Sequence, residues 1–353
     1  MAAIFSHPLK VFAIATVTPV VLIALGAVFG GWFAAAALIY MTVFIHGLDR
    51  IISRIAPPLD EDETGDDADF LSAILAICHF ALLGLIVFAL GGGFQLSIGA
   101  SALTFLAAGL FFGQVSNSNA HELIHRSDWK LRNLGKWVYI SLLFGHHASA
   151  HPKVHHRWVA TPDDPNTAEL GESFYDFAPR AWIGSFTAGY EMEKQDLSRR
   201  QKRSFNPYYL YVSGAVLMMF LAIWIGGIGG FVAYLLLCLH AQMQLLLSDY
   251  VQHFGLLRDK RSDGSYEPVG IEHSWNAPHW FSSHLMLNAP RHSDHHAHPM
   301  RPYPSLDLPP KANAPMLPYS LPVMATIAMV PTLWNRVMGR ALQRWQDQSS
   351  ATS

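Results

Sequence analysis

Charged side chains are scarce in this sequence. Only 14% of its 353 residues are Asp, Glu, Lys or Arg, whereas a typical soluble domain carries about 25%. Three blocks contain none of these residues, at 11–48, 71–121 and 204–248. Because a bilayer crossing needs roughly 20 apolar residues, each block has room for a pair of helices. These blocks exclude an ordinary soluble enzyme and predict an all-α integral membrane protein.

Cysteine is nearly absent. The only two, Cys78 and Cys238, lie inside uncharged blocks and form no Cys-x-x-Cys pair. This excludes a fused iron–sulfur or rubredoxin-type domain and a disulfide framework. The formal net charge of −2 gives no indication of nucleic-acid binding. Since no flavin, haem or iron–sulfur motif is present either, any electrons that the protein uses must come from outside the chain.

A glycine-rich break lies near the middle of each uncharged block, at residues 30–31, 91–93 and 226–230. Glycine disfavours a continuous helix, so each break is expected to separate two spans. The sequence thus predicts six transmembrane helices, near 11–29, 31–48, 71–90, 96–115, 209–226 and 230–247. We expect one membrane-embedded domain, 1–353, in which the polar segments 116–203 and 248–345 form a helical cap.

The basic residues predict the orientation of this domain. All 24 Lys and Arg lie outside the three uncharged blocks, and none lies at a glycine break. By the positive-inside rule, the termini and the polar segments are then cytoplasmic. The sequence therefore predicts a multi-pass protein of the cytoplasmic (inner) membrane, whose cap faces the cytoplasm.

Histidine is plentiful, and nine of the 19 histidines fall in four tight clusters. They are His121 and His125; His151, His155 and His156; His253; and His292, His295 and His296. Residues three or four apart share a face of an α-helix, so each cluster aims its imidazoles at one point. A structural zinc site closes at four ligands. Nine imidazoles therefore predict two metal ions, each with four or five protein ligands.

Ligand type alone leaves the metal open, because imidazole suits zinc, copper, iron and nickel. A dinuclear site above a helical bundle that lipid already surrounds has little structural purpose, which favours redox iron handling O₂. A non-redox zinc membrane protein is the more remote alternative. Nearby carboxylates are expected to accept hydrogen bonds from the ligating imidazoles. The candidates are Glu122, Asp163, Asp164, Asp249, Glu272 and Asp294.

The remaining histidines have other expected roles. His79 and His240 lie mid-span, where a neutral imidazole bonded to a neighbouring helix is the favoured interpretation. His146 and His147 directly precede the second cluster and are alternative ligands. Four more are expected to orient ligands or to line the cytoplasmic face: His273, His279, His284 and His298.

Four segments resemble the integral-membrane alkane hydroxylases (alkane 1-monooxygenases) of the fatty-acid-desaturase-like superfamily. The similar motifs lie at residues 121–126, 150–165, 249–258, and 273–276 with 289–299. The last two are specific to the hydroxylases rather than to desaturases generally. The resemblance covers roughly residues 40 to 340, including the six-span layout.

This resemblance implies two iron ions on the nine histidines, with O₂ as co-substrate. It also implies terminal hydroxylation of an n-alkane to a 1-alkanol, with electrons from an external rubredoxin or ferredoxin and its NAD(P)H reductase. Basic residues expected to dock that electron donor are Arg126, Lys130, Arg157, Arg258 and Arg291. Xylene-type side-chain hydroxylases and fatty acyl desaturases or hydroxylases share this layout and are alternatives.

Four positions depart from the family pattern. Ala150 and Gln252 replace glutamates, Val154 replaces a glycine, and Phe254 replaces a tyrosine. None removes a histidine, but two acids near the metals are lost, which leaves substrate choice open. The depth of the substrate channel is expected to depend on bulky residues of the second span: Trp32, Phe33 and Tyr40.

Overall fold

A computed structural model describes residues 9–199 and 204–350. Within this part of the chain the regular structure is helical, apart from two isolated β-bridges, Lys260–Tyr266 and Asn276–Met316. The first half of the chain contributes four helices long and apolar enough to cross a membrane: α1 Leu9–Phe29, α2 Gly31–Ile51, α3 Thr64–Gly93 and α4 Ile98–Ile124. The expected all-α membrane architecture is confirmed.

Positive backbone φ angles reverse the chain at the first two glycine breaks. Gly30 has φ 62° between α1 and α2, and Gly92 has φ 101° at the end of α3. Glycine adopts these angles without the steric penalty of a Cβ atom. Ser97 then caps α4 by accepting a hydrogen bond from the Ala100 amide. The two predicted hairpins are therefore present.

The third uncharged block forms one helical element. After α5, Trp129–Ser141, and α6, Phe174–Arg199, comes α7, Tyr208–His253, which has 46 residues and is the fifth helix able to span a membrane. A straight helix of this length would reach about 69 Å. Gly227 interrupts it with φ 60° and ψ −158°.

Contacts show that α7 folds back at this interruption. Gly214 packs against Ile140, and the Tyr234 hydroxyl donates to the Ser141 carbonyl at 2.7 Å. Twenty helical residues would separate Gly214 from Tyr234 by about 30 Å if α7 were straight. Both arms of α7 therefore lie beside the end of α5. The arms coincide with the expected spans 209–226 and 230–247, while the count of six spans and the cytoplasmic side of the cap stay predictions.

The rest of the chain builds the cap from short helices. A continuous helical run comprises His147–Ala150, a π-helical turn at His151–His155, and His156–Trp158. Beyond α7 lie α8 Trp280–Leu285, α9 His292–Ala297, α10 Leu321–Ala328 and α11 Pro331–Ser350, with 3₁₀ turns at Ile271–His273 and Tyr303–Ser305. The packing of this cap on the ends of α4 and α7 brings distant segments of the sequence together.

Buried polar contacts fix the helices against one another. The His79 ring lies between two hydroxyls, with Nδ1 2.9 Å from Ser116 Oγ and Nε2 2.8 Å from Ser141 Oγ. It thereby ties α3 to α4 and to α5. Because both ring nitrogens are satisfied by protein partners, the expected role of His79 in helix packing accounts for its position.

Candidate metal centre

The four histidine clusters converge where the ends of α4 and α7 meet the cap. Their ligating nitrogens form two groups, and within each group the nitrogens all lie within 4.8 Å of one another. The five-histidine group comprises His121, His125, His151, His156 and His295. The four-histidine group comprises His155, His253, His292 and His296. The nine residues singled out by their spacing are thus brought together, and their division into five and four emerges from the fold.

The π-helical turn decides how the second cluster is divided. In an α-helix, His151 and His155 would share a face. A π-helix instead closes after five residues, and His151 pairs with His156, with 3.0 Å between their Nε2 atoms. His155 turns to the other group, where its ring packs on those of His253 and His296. The expectation that this cluster aims at a single point is therefore corrected.

The nitrogen spacing within each group fits a coordination shell. Neighbouring Nε2 atoms lie 2.7 Å apart for His121–His151 and 3.1 Å apart for His156–His295. In the other group the His253–His292 distance is 3.0 Å. With metal–nitrogen bonds of about 2.1 Å, right angles give spacings of roughly 3.0 Å, whereas a tetrahedron gives roughly 3.4 Å. The spacing thus fits two metals of coordination number above four.

Among the Nε2 atoms of the nine histidines, two support the same conclusion. The Nε2 atoms of His125 and His155 have no hydrogen-bond partner, although both are shielded from solvent. A buried polar atom without a partner is costly, and a metal ion would satisfy each of them. One such atom belongs to each group, so both groups have a nitrogen ready for a metal.

Four of the nine histidines are held in the neutral form that binds metals. His155 differs, because burial lowers its pKa but the neighbouring Asp164 carboxylate raises it above its usual value. Burial, together with neighbouring imidazoles, lowers the pKa of His125 to about 3. The same causes lower the pKa values of His151, His156 and His295 well below their usual range. A neutral imidazole keeps a lone pair for a metal, whereas a protonated ring has none.

Asp164 is the one candidate acid that bonds one of the nine clustered histidines in the described structure. Its Oδ2 lies 2.9 Å from His155 Nδ1 and also accepts from Thr167 Oγ1 at 2.7 Å. Its Oδ1 accepts from the backbone N–H of Asn166 at 3.1 Å. Burial raises the pKa of Asp164, but His155 and these donors hold it below its usual value. An ionised Asp164 therefore fixes the His155 ring with Nε2 toward the four-histidine group.

The other five candidate acids have different partners. Asp249 accepts from Asn166 Nδ2 at 2.6 Å, Glu122 accepts from the Tyr303 amide at 3.1 Å, and Asp294 pairs with Arg301 at 2.6 Å. Glu272 lies 3.5 Å from His273, in a separate cluster with Glu267. Asp163 is exposed. None of these five bonds directly to one of the nine histidines.

The neighbouring histidines pack around the centre rather than joining it. His147 stacks on His151, with ring centroids 4.8 Å apart, and His146 Nε2 lies 3.3 Å from Ser185 Oγ. Neither belongs to the two groups. His298 bonds Asp294, and His284 bonds the Trp280 carbonyl. The arrangement favours the nine clustered histidines over His146 and His147 as ligands.

A cavity of about 990 Å³ opens onto both histidine groups. Its walls come from α4, α6, the second arm of α7 and α10, and they are mainly apolar. Leu110, Trp182, Leu239 and Met243 line its apolar part, whereas His121, His151 and His292 line it at the histidine groups. Trp32, Phe33 and Tyr40 do not line it, and Trp32 is 90% exposed. The expectation that these three set the channel depth is corrected.

The five candidate docking residues differ in accessibility. Arg291 is buried and donates to the carbonyls of Leu306 and Ala56. Arg126 is only 11% exposed and pairs with Asp69 and Glu122. Arg258 is half-buried, and Lys130 and Arg157 are exposed. Burial therefore leaves only part of the expected docking set at the surface.

Comparison with known proteins identifies the family. Residues 96–328 match the fatty acid desaturase family. Two similar relatives are alkane 1-monooxygenases. The one from Ectopseudomonas oleovorans is 34% identical over 326 residues, which is 89% of this chain and 77% of the relative. The one from Pseudomonas putida is 36% identical over 248 residues, 68% of this chain and 60% of the relative.

A third relative is more distant. The xylene/toluene monooxygenase hydroxylase component of Pseudomonas putida is 27% identical over 238 residues, 66% of this chain and 62% of the relative. The chain belongs to the fatty acid desaturase family, a class whose match covers most of the described bundle and cap. Within that class it belongs to the alkane 1-monooxygenases.

Sequence reasoning missed several residues that shape the site. Asn166 and Thr167 hold Asp164, and Asn166 also links it to Asp249. The α10 helix supplies a wall of the cavity through Leu321 and Ala325. Asp, Asn and Thr grouped around Pro165 are typical of a side-chain-stabilised turn, and this signal was available in the sequence.

Proposed function

We propose that this protein is an O₂-dependent alkane 1-monooxygenase that converts an n-alkane into a 1-alkanol at a centre of two iron ions. The observation that carries the proposal is the position of the two histidine groups at one end of a mainly apolar cavity. The reaction is R–CH₃ + O₂ + 2e⁻ + 2H⁺ → R–CH₂OH + H₂O. A C–H bond of the methyl group breaks, a C–O bond forms, and the second oxygen atom leaves as water.

The nine histidines would hold the metals, with five ligands for one ion and four for the other. Bound iron supplies the oxidising chemistry with O₂, and the protein supplies orientation and exclusion of water. Asp164 keeps the His155 ring fixed through the 2.9 Å bond to Nδ1. A five-nitrogen group departs from the four-ligand closure of a structural zinc site, which favours iron over the zinc alternative.

The cavity accounts for terminal selectivity. Leu110 lies eleven residues before His121 on α4, so the cavity extends about 16 Å from the metal end along this helix. A chain lying along the cavity presents its end, and not its middle, to the histidine groups. Methyl oxidation in preference to weaker methylene C–H bonds then follows from positioning.

The proposed reaction also requires an electron donor, a membrane location and a route for the substrate. Electrons come from an external rubredoxin or ferredoxin with its NAD(P)H reductase, because the described chain offers no second redox site. The protein is integral to the cytoplasmic membrane, with its cap on the cytoplasmic side, as the distribution of basic residues predicts. The substrate enters from the bilayer, where hydrocarbons partition.

The first test is incubation with ¹⁸O₂. Membranes containing the protein, rubredoxin and its reductase would receive n-alkanes of several lengths, p-xylene and a fatty acyl thioester. We expect 1-alkanols carrying one ¹⁸O atom, identified by mass spectrometry, because the reaction transfers one atom of O₂ to the methyl carbon. Membranes lacking the protein are the control.

Each contrary product points to a different function. Label confined to the xylene product would assign an aromatic side-chain hydroxylase, and an alkene without label would assign a desaturase. O₂-independent activity together with bound zinc would reject the redox function. The proposal stands only if labelled 1-alkanols form.

Substitution of Leu110 tests the cavity. In Leu110→Trp an indole narrows the cavity about 16 Å from His121 along α4, so the longest accepted alkanes should lose kcat/KM on the order of tenfold or more, while the shortest retain theirs. Trp32→Ala is the control, because Trp32 is 90% exposed and lies off the cavity. The readout is kcat/KM across a series of n-alkanes. A changed length profile in Trp32→Ala, with none in Leu110→Trp, would place the substrate elsewhere.

A further inference from the structure

Three arginines form a stripe along the outer face of α11. Arg336, Arg340 and Arg344 are spaced four residues apart, and all three are exposed. None makes an ion pair or a hydrogen bond with a described residue. Like charges four residues apart repel each other and weaken a helix. The stripe therefore costs the isolated helix stability, which favours a binding role over a purely structural one.

The inner face of the same helix packs against the end of α7. The Trp334 ring lies 5.1 Å from Tyr250 and 5.1 Å from Phe254, measured between ring centroids. Phe254 directly follows His253, a member of the four-histidine group. The thickness of one helix thus separates the arginine stripe from the side chains that adjoin this group.

We propose that this stripe, Arg336, Arg340 and Arg344, is the docking surface for a small acidic electron-carrier protein, which reduces the centre from the side of the four-histidine group. The inference rests on the proposed function, since a monooxygenase needs two electrons per turnover and a one-electron carrier must therefore dock twice. Brief, repeated encounters use small interfaces steered by opposite charge. Three unpaired arginines over two helical turns suit such an encounter.

Anionic lipid headgroups are the competing partner for a basic stripe near a membrane. The position of α11 favours a protein over lipid headgroups as the partner of the stripe. Leu342 packs beside Gly255, which lies beyond the end of α7, and Gln348 donates to the carbonyls of Lys311 and Ala312 in the cap. The helix thus continues past the last residue of the membrane-spanning element. Arg340 and Arg344 lie on this cap portion, where a soluble carrier has access.

Charge removal from the stripe tests the proposal. The variant Arg336→Gln/Arg340→Gln/Arg344→Gln would be reconstituted in neutral phosphatidylcholine with rubredoxin as the carrier. We expect KM for rubredoxin to rise on the order of tenfold at low salt, because steering is lost, with kcat at saturating rubredoxin unchanged. The difference from the wild type should shrink at high salt, where screening weakens steering in both proteins. Calorimetric titration should show the same loss of affinity without turnover.

A matched control removes three positive charges elsewhere. Lys10→Gln/Arg50→Gln/Lys194→Gln changes the net charge equally but leaves the stripe intact. We expect its KM for rubredoxin to equal that of the wild type. Reduction by dithionite bypasses docking and should be equal in all three proteins.

Three outcomes would overturn the docking surface. One is an unchanged KM and affinity in the stripe variant, and another is an equal change in the control. The third is an effect that appears only when anionic lipid is added, which would assign the stripe to headgroups. Failure of the proposed function is distinguishable, because the wild type would then bind rubredoxin without hydroxylating any alkane.

Discussion

Replacing His295 or His155 with alanine is expected to reduce alkane hydroxylation to background. His295 belongs to the five-histidine group and His155 to the four-histidine group. Each substitution removes one imidazole from one metal, so bound iron should fall from two ions per chain toward one. Iron content and 1-alkanol formation would be measured on the same purified samples. Full activity with two irons in either variant would reject the assigned ligands.

His79→Ala is the control for this prediction. His79 is as buried as the ligands, but its two nitrogens bond Ser116 and Ser141. Its removal leaves a cavity and deprives both hydroxyls of the imidazole, although Ser141 keeps its bond to the Val138 carbonyl, and this should destabilise the protein by about 2–4 kcal/mol. A lower unfolding temperature with two irons retained is therefore expected. Loss of iron in His79→Ala as well would mean that metal content reports only on folding.

The fold was largely predictable because its signals are local. Uncharged blocks mark membrane segments, and glycines mark reversals because positive φ angles are costly for other residues. Gly30, Gly92 and Gly227 all adopt such angles at the predicted breaks. The convergence of the nine histidines was predictable for a similar reason, since short spacings reveal residues that share a helix face.

The division of the nine histidines into two groups was not predictable, because it depends on a local change of helix type. Standard α-helical spacing pairs His151 with His155, but the π-helical turn pairs His151 with His156. In α9, by contrast, His292 and His296 follow α-helical spacing into one group, and His295 turns to the other. The sequence carries no simple signal for the π-turn.

The solvent exposure of individual side chains was equally unpredictable, because burial depends on segments that are far apart in the chain. Arg291 resembled a surface cation in the sequence, yet its guanidinium donates to Ala56, 235 residues away. The stripe on α11 lies outside all the family motifs, so none of them indicates it. Trp32 was expected to face the channel, but the cavity lies among α4, α6, α7 and α10.

Two departures from the family pattern have structural roles in this chain. Gln252 donates from Nε2 to the Ala289 carbonyl at 3.1 Å and accepts from Ser248 at 2.7 Å, which ties α7 to the segment before α9. Ala150 packs closely against Gly189 of α6. Both residues stay beside the histidine groups without contributing a charge. Asp164 is the one candidate carboxylate that bonds directly to one of the nine histidines in the described structure.

Asp164→Asn is therefore expected to have the second-largest effect. In the native carboxylate, Oδ2 accepts from His155 and Thr167, and Oδ1 accepts from the backbone N–H of Asn166. Whichever way an asparagine amide is turned, its NH₂ group faces one of these donors. The bond to the His155 ring is then either lost or made by an uncharged oxygen, so the ring is held more weakly and iron affinity or kcat should fall about 10–100-fold, as for other partners of metal-ligating histidines.

Iron titration and kcat together distinguish a misoriented His155 ring from a general loss of protein stability. Iron binding would be titrated into metal-free Asp164→Asn and wild-type protein, and kcat would be measured at saturating iron. Asp163→Asn is the matched control, because Asp163 is the adjacent acid but is exposed, and it should behave as the wild type. Weaker binding should be confined to one of the two irons, since His155 belongs to the four-histidine group alone. Equal weakening of both irons, or an equal effect in Asp163→Asn, would contradict a role through His155.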